Sequence, residues 1–240
     1  MKCKTLTTIS EAHIDLQLGL DKIGSTAPEL GVVEADLWLN KAQLRYIKTH
    51  YGPNNLYQKG YEEIQKRRED LKGVIKTKFG KPTINGNYYK VSLSDLYNES
   101  SLTTPSIDKY MFLVKVQVKT GKGVCHTASD LKIIDQDKVE RSITDPFNKS
   151  TFDYPKGYFE DDSIYILTPD FVVEEVLITF IKYPRDVKYG TQYPVPTEDI
   201  TFETSVHTHD EIVQLAVSLI IENNMSQRVQ TITIPNNNVE

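Results

Sequence analysis

The sequence predicts an α+β fold: an N-terminal helical hairpin, a central antiparallel β-sheet or sandwich, a buried C-terminal helix and an extended C-terminal tail. Three observations predict it. Apolar residues recur at helical spacing between residues 33 and 75, alternate along 109–121, and return to a helical run after residue 206. The expected organisation is a helical region over 1–76, an antiparallel β region over 77–204, a C-terminal helix over 205–225 packing on the helical region, and a tail over 226–240.

The first element, "SEAHIDLQLGLDKI" (10–23), opens with Ser10, and its Ile14, Leu16, Leu18 and Leu20 fit a strand as well as a helix. "VEADLWLNKAQLRYIKTHYG" (33–52) is plainly helical. Trp38, Ala42 and Tyr46 recur every four residues, and Leu37, Leu44, Ile47 and Tyr51 widen the apolar face. Gly52-Pro53 ends it. In "LYQKGYEEIQKRREDLKGVI" (56–75), Tyr57, Tyr61, Ile64, Arg68, Leu71 and Ile75 trace a second helical stripe, and the short link makes the two helices antiparallel neighbours.

"KYMFLVKVQVKTG" (109–121) alternates. Tyr110, Phe112, Val114, Val116 and Val118 point one way, and Lys115, Gln117 and Lys119 the other, as in a half-buried antiparallel strand. "YYKVSL" (88–93) and "SDLKIID" (129–135) are shorter candidates. "SIYILTPDFVVEEVLITFIKYP" (163–184) reads as a hairpin turning near Thr168-Pro169-Asp170. "QDKVERSITDPFNKS" (136–150) holds a short helix ending before Pro146, and 185–204 is a proline-bearing loop. The last helix runs over 206–225. Thr208 and Glu211 stand in T-x-x-E spacing, so a capping box is expected there.

That helix is preceded by His207 and His209, which raises the question of a metal site. Zinc needs three or four convergent ligands, and two histidines beside Asp210 and Glu211 fit a helix start better. Cys3 and Cys125 are far apart and share no ligand spacing. Cys125 and His126 are adjacent, so in a strand they face opposite sides. "GKGVCH" (121–126) is read as a hairpin turn, not a phosphate cradle, and "EDD" (160–162) as a solvated loop tip. No phosphate loop, dinucleotide fingerprint or nucleophile elbow is present. No catalytic residue, metal ligand or cofactor is therefore expected, and the chain reads as a non-enzyme.

The net charge of −5 argues against free DNA binding through a global positive field. Fourteen tyrosines against eight phenylalanines suit half-buried surfaces and interfaces. No stretch approaches the length of a membrane span, and the N-terminus lacks the apolar core of a signal peptide, so a soluble protein made in a cytoplasm, with no membrane partner, is expected.

Two stretches resemble a known family. "ADLWLNKAQLRYIKTHYG…YEEIQKRREDLKGVI" resembles a helical pair of virion proteins from crAss-like and related Bacteroidetes-infecting tailed bacteriophages, with the "LNKAQ" helix and a "QKRxDDL"-like end read here as Gln65 to Leu71. "VLITFIKYPRDV" and "FETSVHTHDEIVQLAVSLIIEN" are similar to the "YIKKP" strand and "H-x-EIV-x-x-AV" helix of the same proteins. Residues 80–160 match nothing in them. The resemblance implies a head–tail connector ring protein of the adaptor type, located in the virion at the head–tail junction. Its implied partners are further copies of itself in a ring of about twelve, the portal, the next tail or ring protein, and genomic DNA passing without sequence specificity. On that reading Lys66, Arg67 and Arg68 are candidates for a portal-facing or lumen-facing patch, and Ile232 and Ile234 for a tail strand that adds to a partner's sheet. Another tail or fibre-attachment protein is the alternative within the virion. A metal-dependent hydrolase using His207, His209, Cys125 or the acidic loop is the alternative outside it.

Overall fold

A computed structural model describes residues 8–23, 30–51, 65–86, 88–98, 101–105, 108–122, 125–168 and 171–224. Cys3, residues 56–64, the turn residues Pro169 and Asp170, the Cys125 side chain and the tail with Ile232 and Ile234 lie outside that description. The chain divides into two compact units, Met1–Val74 with Pro184–Glu240, and Ile75–Tyr183.

The first unit opens with α1, Ile9–Ile23. Thr8, not Ser10, starts it. The Thr8 amide donates to Glu11 Oε2 at 3.0 Å and the Glu11 amide to Thr8 Oγ1 at 3.3 Å, a closed capping box. Ile9, Ala12, Leu16 and Leu20 are buried at helical spacing, which decides for helix over strand, while Ile14 and Leu18 point outward. In α2, Val32–Tyr51, the buried face is Ala35, Leu39, Ala42, Tyr46 and Ile47. Leu37, expected on the apolar face, is exposed, and Trp38 packs half-buried against the core. In α3, Gln65–Leu71, the buried residues are Arg67, Asp70 and Leu71. The helix is rotated by one residue from the stripe read in the sequence, which had placed Arg68 inside. It also ends before Ile75, and two residues past its end a Cβ at Gly73 would lie 1.7 Å from the Glu203 carbonyl oxygen. Only glycine lets the two backbones meet there.

The second unit holds strands β1 (Ile75–Gly80), β2 (Thr83–Asn85), β3 (Tyr88–Ser92), β4 (Tyr97–Asn98), β5 (Ser101–Pro105), β6 (Tyr110–Lys122), β7 (Cys125–Asp130), β8 (Lys132–Ile133), β9 (Lys156–Glu160), β10 (Ser163–Leu167) and β11 (Val172–Lys182). Between β8 and β9 lies α4, Val139–Thr144, which stops at Asp145 just before Pro146, as expected. Two sheets form, in the orders β5-β4-β1-β11-β6-β7 and β2-β3-β10-β9-β8. One core lies between them. Val91, Ile164 and Ile166 of the smaller sheet meet Val118, Val176, Ile178 and Phe180 of the larger, all fully buried. The unit is thus a sandwich, antiparallel except where β8 runs parallel to β9.

Two expectations for the sheets need correction. Residues 163–184 are not a hairpin. β10 pairs with β3 and β9, while β11 pairs with β1 and β6, so the chain crosses from one sheet to the other near residue 168. β10 is buried on both faces and β11 becomes so toward its end, and apart from β9 their partners are remote in sequence. The alternation of β6 also changes phase. Its register against β11 skips Val114 and then Met111, so Leu113 and Tyr110 join Val116 and Val118 against the core in place of Phe112 and Val114. An extra residue in one strand moves the following side chain to the other face.

Residues 184–204, assigned from sequence to the β region, belong with the helices. Val187 and Phe202 are part of the helical core. Asn40 holds Val187 from both sides, donating to its carbonyl at 3.0 Å and accepting from its amide at 2.6 Å. A 3-10 turn, Val206–Thr208, leads into α5, His209–Asn224. Ile212, Val213, Ala216, Val217 and Ile220 are buried, and α5 packs on both α1 and α2. No helix among the described residues is long and apolar enough to cross a membrane.

Candidate functional site

The two histidines of the "HTH" stretch have separate fates. His207, largely exposed, places Nε2 2.6 Å from Oδ1 of Asp70, which is fully buried. His209 is 1% exposed. Its Nε2 lies 3.2 Å from the Thr204 carbonyl, so the proton sits there, and its ring leans on Phe202 at 5.0 Å. Burial, partly offset by that bond, lowers its pKa below the ordinary histidine value. One imidazole closes a surface pair and the other fills the core, so they do not act as joint ligands. Among the described residues no group of three His, Cys, Asp or Glu side chains is placed to hold a metal ion.

Asp70, on α3, gathers groups from two other elements, the 3-10 turn and α2. Its second oxygen, Oδ2, has His50 Nε2 at 3.9 Å and accepts no hydrogen bond of good geometry among the described residues. His50 stacks on Tyr46 with ring centroids 3.8 Å apart. Burial lowers the His50 pKa, against the pull of the Tyr46 carbonyl and of Asp70. The Tyr46 phenol is pushed far up by burial first, and then by the negative charge of Asp70 and Glu211. An Asp–His pair can carry a proton, but the hydrogen bond of His207 runs to Asp70 and to no nucleophile. Its clear effect is to tie α3 to the entry of α5.

The capping box expected at Thr208 and Glu211 does not close. The Thr208 hydroxyl donates to Ser205 O at 2.7 Å inside the 3-10 turn. The Glu211 carboxylate instead accepts from the Tyr46 hydroxyl at 3.0 Å and from Lys66 Nζ at 3.4 Å. Nor do Lys66, Arg67 and Arg68 form one basic patch. Lys66, itself exposed, is paired with Glu211, Arg67 is buried at 8% exposure, and Arg68 is exposed. The one-residue rotation of α3 accounts for this. "GKGVCH" is the β6–β7 hairpin, where His126 meets Glu174 at 2.6 Å. The acidic run 160–162 is the β9–β10 turn, with Asp161 at φ 50°, a left-handed conformation that Asp tolerates.

A second polar centre escaped the sequence reading. Asp36 is 2% exposed and accepts from His13 Nε2 at 2.7 Å, the Tyr189 amide at 3.1 Å and the Tyr193 hydroxyl at 2.8 Å. Its signal was a carboxylate between Ala35 and Leu39, inside the buried stripe of α2. Its partners lie up to 157 residues away, so no local pattern names them. Asp36 and Asn40 together pin segment 186–193 along α2. Between the two runs a shallow groove of about 720 Å³, lined by Val32, Val33, Leu37, Val187 and Tyr193 among others. Val33 and Leu37 on its rim are 59% and 51% exposed, and on α1 Ile14 and Leu18 are 56% and 50% exposed. Among the described residues these are two separate exposed apolar sites in one unit.

Comparison with protein-family models gives no match, and comparison with curated proteins gives none.

Proposed function

We propose that this chain is a structural virion protein, a ring-forming subunit of the head–tail connector of a tailed phage that joins portal to tail and guides DNA. The observation that carries the reading is the pair of uncovered apolar sites, Ile14–Leu18 on α1 and the Val33–Leu37 groove on α2. A ring closed by rotation needs two different patches on each subunit, and these two sites on the described residues meet that need. A second point supports it. The two stretches that resemble connector proteins lie at opposite ends of the sequence, and their helical parts, α2, α3 and α5, fold into the same unit. The β sandwich is then an insertion into that unit.

The test is the mass of the purified chain by light scattering, with electron-microscope class averages, alone and after mixing with its portal. Rings of about twelve subunits are expected. Threefold or sixfold particles would transfer the chain to a tail or fibre-attachment role. A monomer in both settings sinks the reading.

A further inference from the structure

The larger sheet ends on β7, and one edge of that strand has no neighbour among the described residues. The register against β6 decides which backbone groups face that edge. The Leu131 amide donates to the Val116 carbonyl at 2.8 Å, which makes those two a hydrogen-bonded pair. Bonded and non-bonded pairs alternate along an antiparallel ladder. Ser129 with Val118 and Thr127 with Thr120 are therefore bonded pairs, whereas Asp130 with Gln117, Ala128 with Lys119 and His126 with Gly121 are not. The amides and carbonyls of His126, Ala128 and Asp130 thus point away from β6, and none has a hydrogen-bonding partner among the described residues. Backbone groups buried in that number would need partners, so the edge is open to water. The three side chains are exposed too. An open edge is a template for another strand.

This edge is complementary to itself. Set antiparallel against a second β7 with Ala128 facing Ala128, each His126 lies opposite the other strand's Asp130, and each Thr127 opposite the other Ser129. Every outward amide and carbonyl of both strands then finds a partner, in the bonded pairs Ala128 with Ala128 and His126 with Asp130. A slip of one residue sets outward groups against inward ones. A slip of two sets a bonding residue of each strand against residue 124 or 132, beyond the ends of β7.

The side chains agree with that register. His126 Nδ1 is held by Glu174 at 2.6 Å, which leaves Nε2. Asp130 Oδ1 takes Lys115 at 3.1 Å and Gln117 at 3.2 Å, which leaves Oδ2. An imidazolium at His126 donates from Nδ1 to Glu174 and from Nε2 to Asp130 across the contact. On the inner face, Ser129 Oγ is buried and has no partner among the described residues. The Thr127 hydroxyl of the second strand comes opposite it in a non-bonded pair, where cross-strand side chains stand closest.

We infer that β7 pairs antiparallel with β7 of a second copy of this chain, about a two-fold axis at Ala128, joining two six-stranded sheets into one. The contact is isologous and closes at two copies. It goes beyond the ring reading, which needs a contact that repeats head to tail, and neither rests on the other. A short strand pair buries less than a standard interface, so the dimer is weak.

The experiment is sedimentation equilibrium of the full chain up to millimolar concentration, with amide hydrogen exchange on the same samples. A monomer–dimer equilibrium is expected, the His126, Ala128 and Asp130 amides exchanging more slowly as concentration rises. Ala128→Pro removes an outward amide and no bond to β6, so circular dichroism should show the fold kept while the dimer weakens by about tenfold or more. Ala128→Cys should join two chains through a short bifunctional thiol reagent, with peptide mass spectrometry placing the link at position 128 of both. If Ala128→Pro unfolds, the cross-link alone decides. A wild type monomeric at millimolar concentration overturns the pairing. So does a dimer that a folded Ala128→Pro leaves intact, or one that does not link at position 128. Slow exchange of these amides at every concentration would mean an occupant from the same chain, such as the tail 226–240, and overturns it as well. Rings whose β7 amides still exchange fast remove this contact and keep the ring reading, while a linked dimer that never forms a ring on the portal does the reverse.

Discussion

The two units are held together by different means. In the sandwich, stability comes from apolar side chains of two sheets meeting face to face, with Phe180, Ile178, Ile164 and Ile166 fully buried. Its buried charges are few and sit together, Lys78 and Lys182 both reaching Asp108, at 3.0 and 3.4 Å. The helical unit has an apolar core too, but buried carboxylates on Asp36 and Asp70 fix its loops and helix ends. Of five buried side-chain atoms without a partner among the described residues, Gln43 Nε2, Asp70 Oδ2, Thr204 Oγ1 and His209 Nδ1 lie in the helical unit and only Ser129 Oγ in the sandwich. Apolar contact is tolerant of direction, while a buried carboxylate accepts only donors placed for it. The sandwich therefore rests mainly on apolar contact, and the helical unit is the more directionally specified of the two.

The sharpest way to break that contrast is a cavity in the sandwich. Phe180→Ala should cost about 3–5 kcal/mol in urea unfolding followed by far-ultraviolet dichroism. A loss below about 1 kcal/mol would mean that the sheets do not pack as described. In the helical unit, Asp36→Ala removes the acceptor of three donors and should cost about 2–4 kcal/mol. Asp36→Asn, which keeps one acceptor oxygen, should recover part of it. Trp38 is the one tryptophan of the chain and packs against the helical core, so its fluorescence follows this unit.

The pH response should differ as well. The pKa values of His50 and His209 are lowered by burial, so below the ordinary value of about 6.5 the unfolded chain takes up protons that the folded chain refuses. The Trp38-monitored melting temperature should therefore fall as pH drops below about 6.5, and His209→Gln should flatten the slope. A flat profile between neutral pH and about pH 5 in the wild type would contradict the burial of both rings. In the sandwich, burial works to raise the Asp108 pKa, but its bonds to Lys78 and Lys182 prevail and lower it. Its contribution is present above the ordinary carboxylate value of about 3.9 and is lost only as pH falls through the lowered one. The smallest effect expected is Thr8→Ala, about 1 kcal/mol, through loss of the capping box on α1. The same change at Thr208 should leave helix capping untouched, because its hydroxyl donates to Ser205 instead.

That pair of threonines shows where sequence reading succeeds and fails. Thr8-x-x-Glu11 and Thr208-x-x-Glu211 are the same motif, and one closes while the other does not. Tyr46 and Lys66 decide the difference by claiming Glu211, and both are remote in sequence. The helices 33–51 and 209–224, the long strand 110–122 and the short helix before Pro146 were legible because their signals are local periodicity and breakers. The β10–β11 hairpin was misread because two buried strands in succession carry no mark of which sheet each joins. The register of β6 was misread because skipped residues leave no trace in alternation. The groove was invisible for the reason that Asp36 was, since its far wall is supplied by residues 186–193.

The sandwich begins and ends at one place. β1, its first strand, lies antiparallel beside β11, its last, with Ile75 opposite Ile181. During synthesis, α1 and α2 emerge with apolar faces that α5 covers, and α5 comes after the entire sandwich. Zipping β1 to β11 brings residues 74 and 184 to the same spot, so a detour of more than a hundred residues becomes a short loop in entropic terms. The inserted unit thereby works as a clasp in folding. Once it shuts, the last helix is delivered to the two that have been waiting for it.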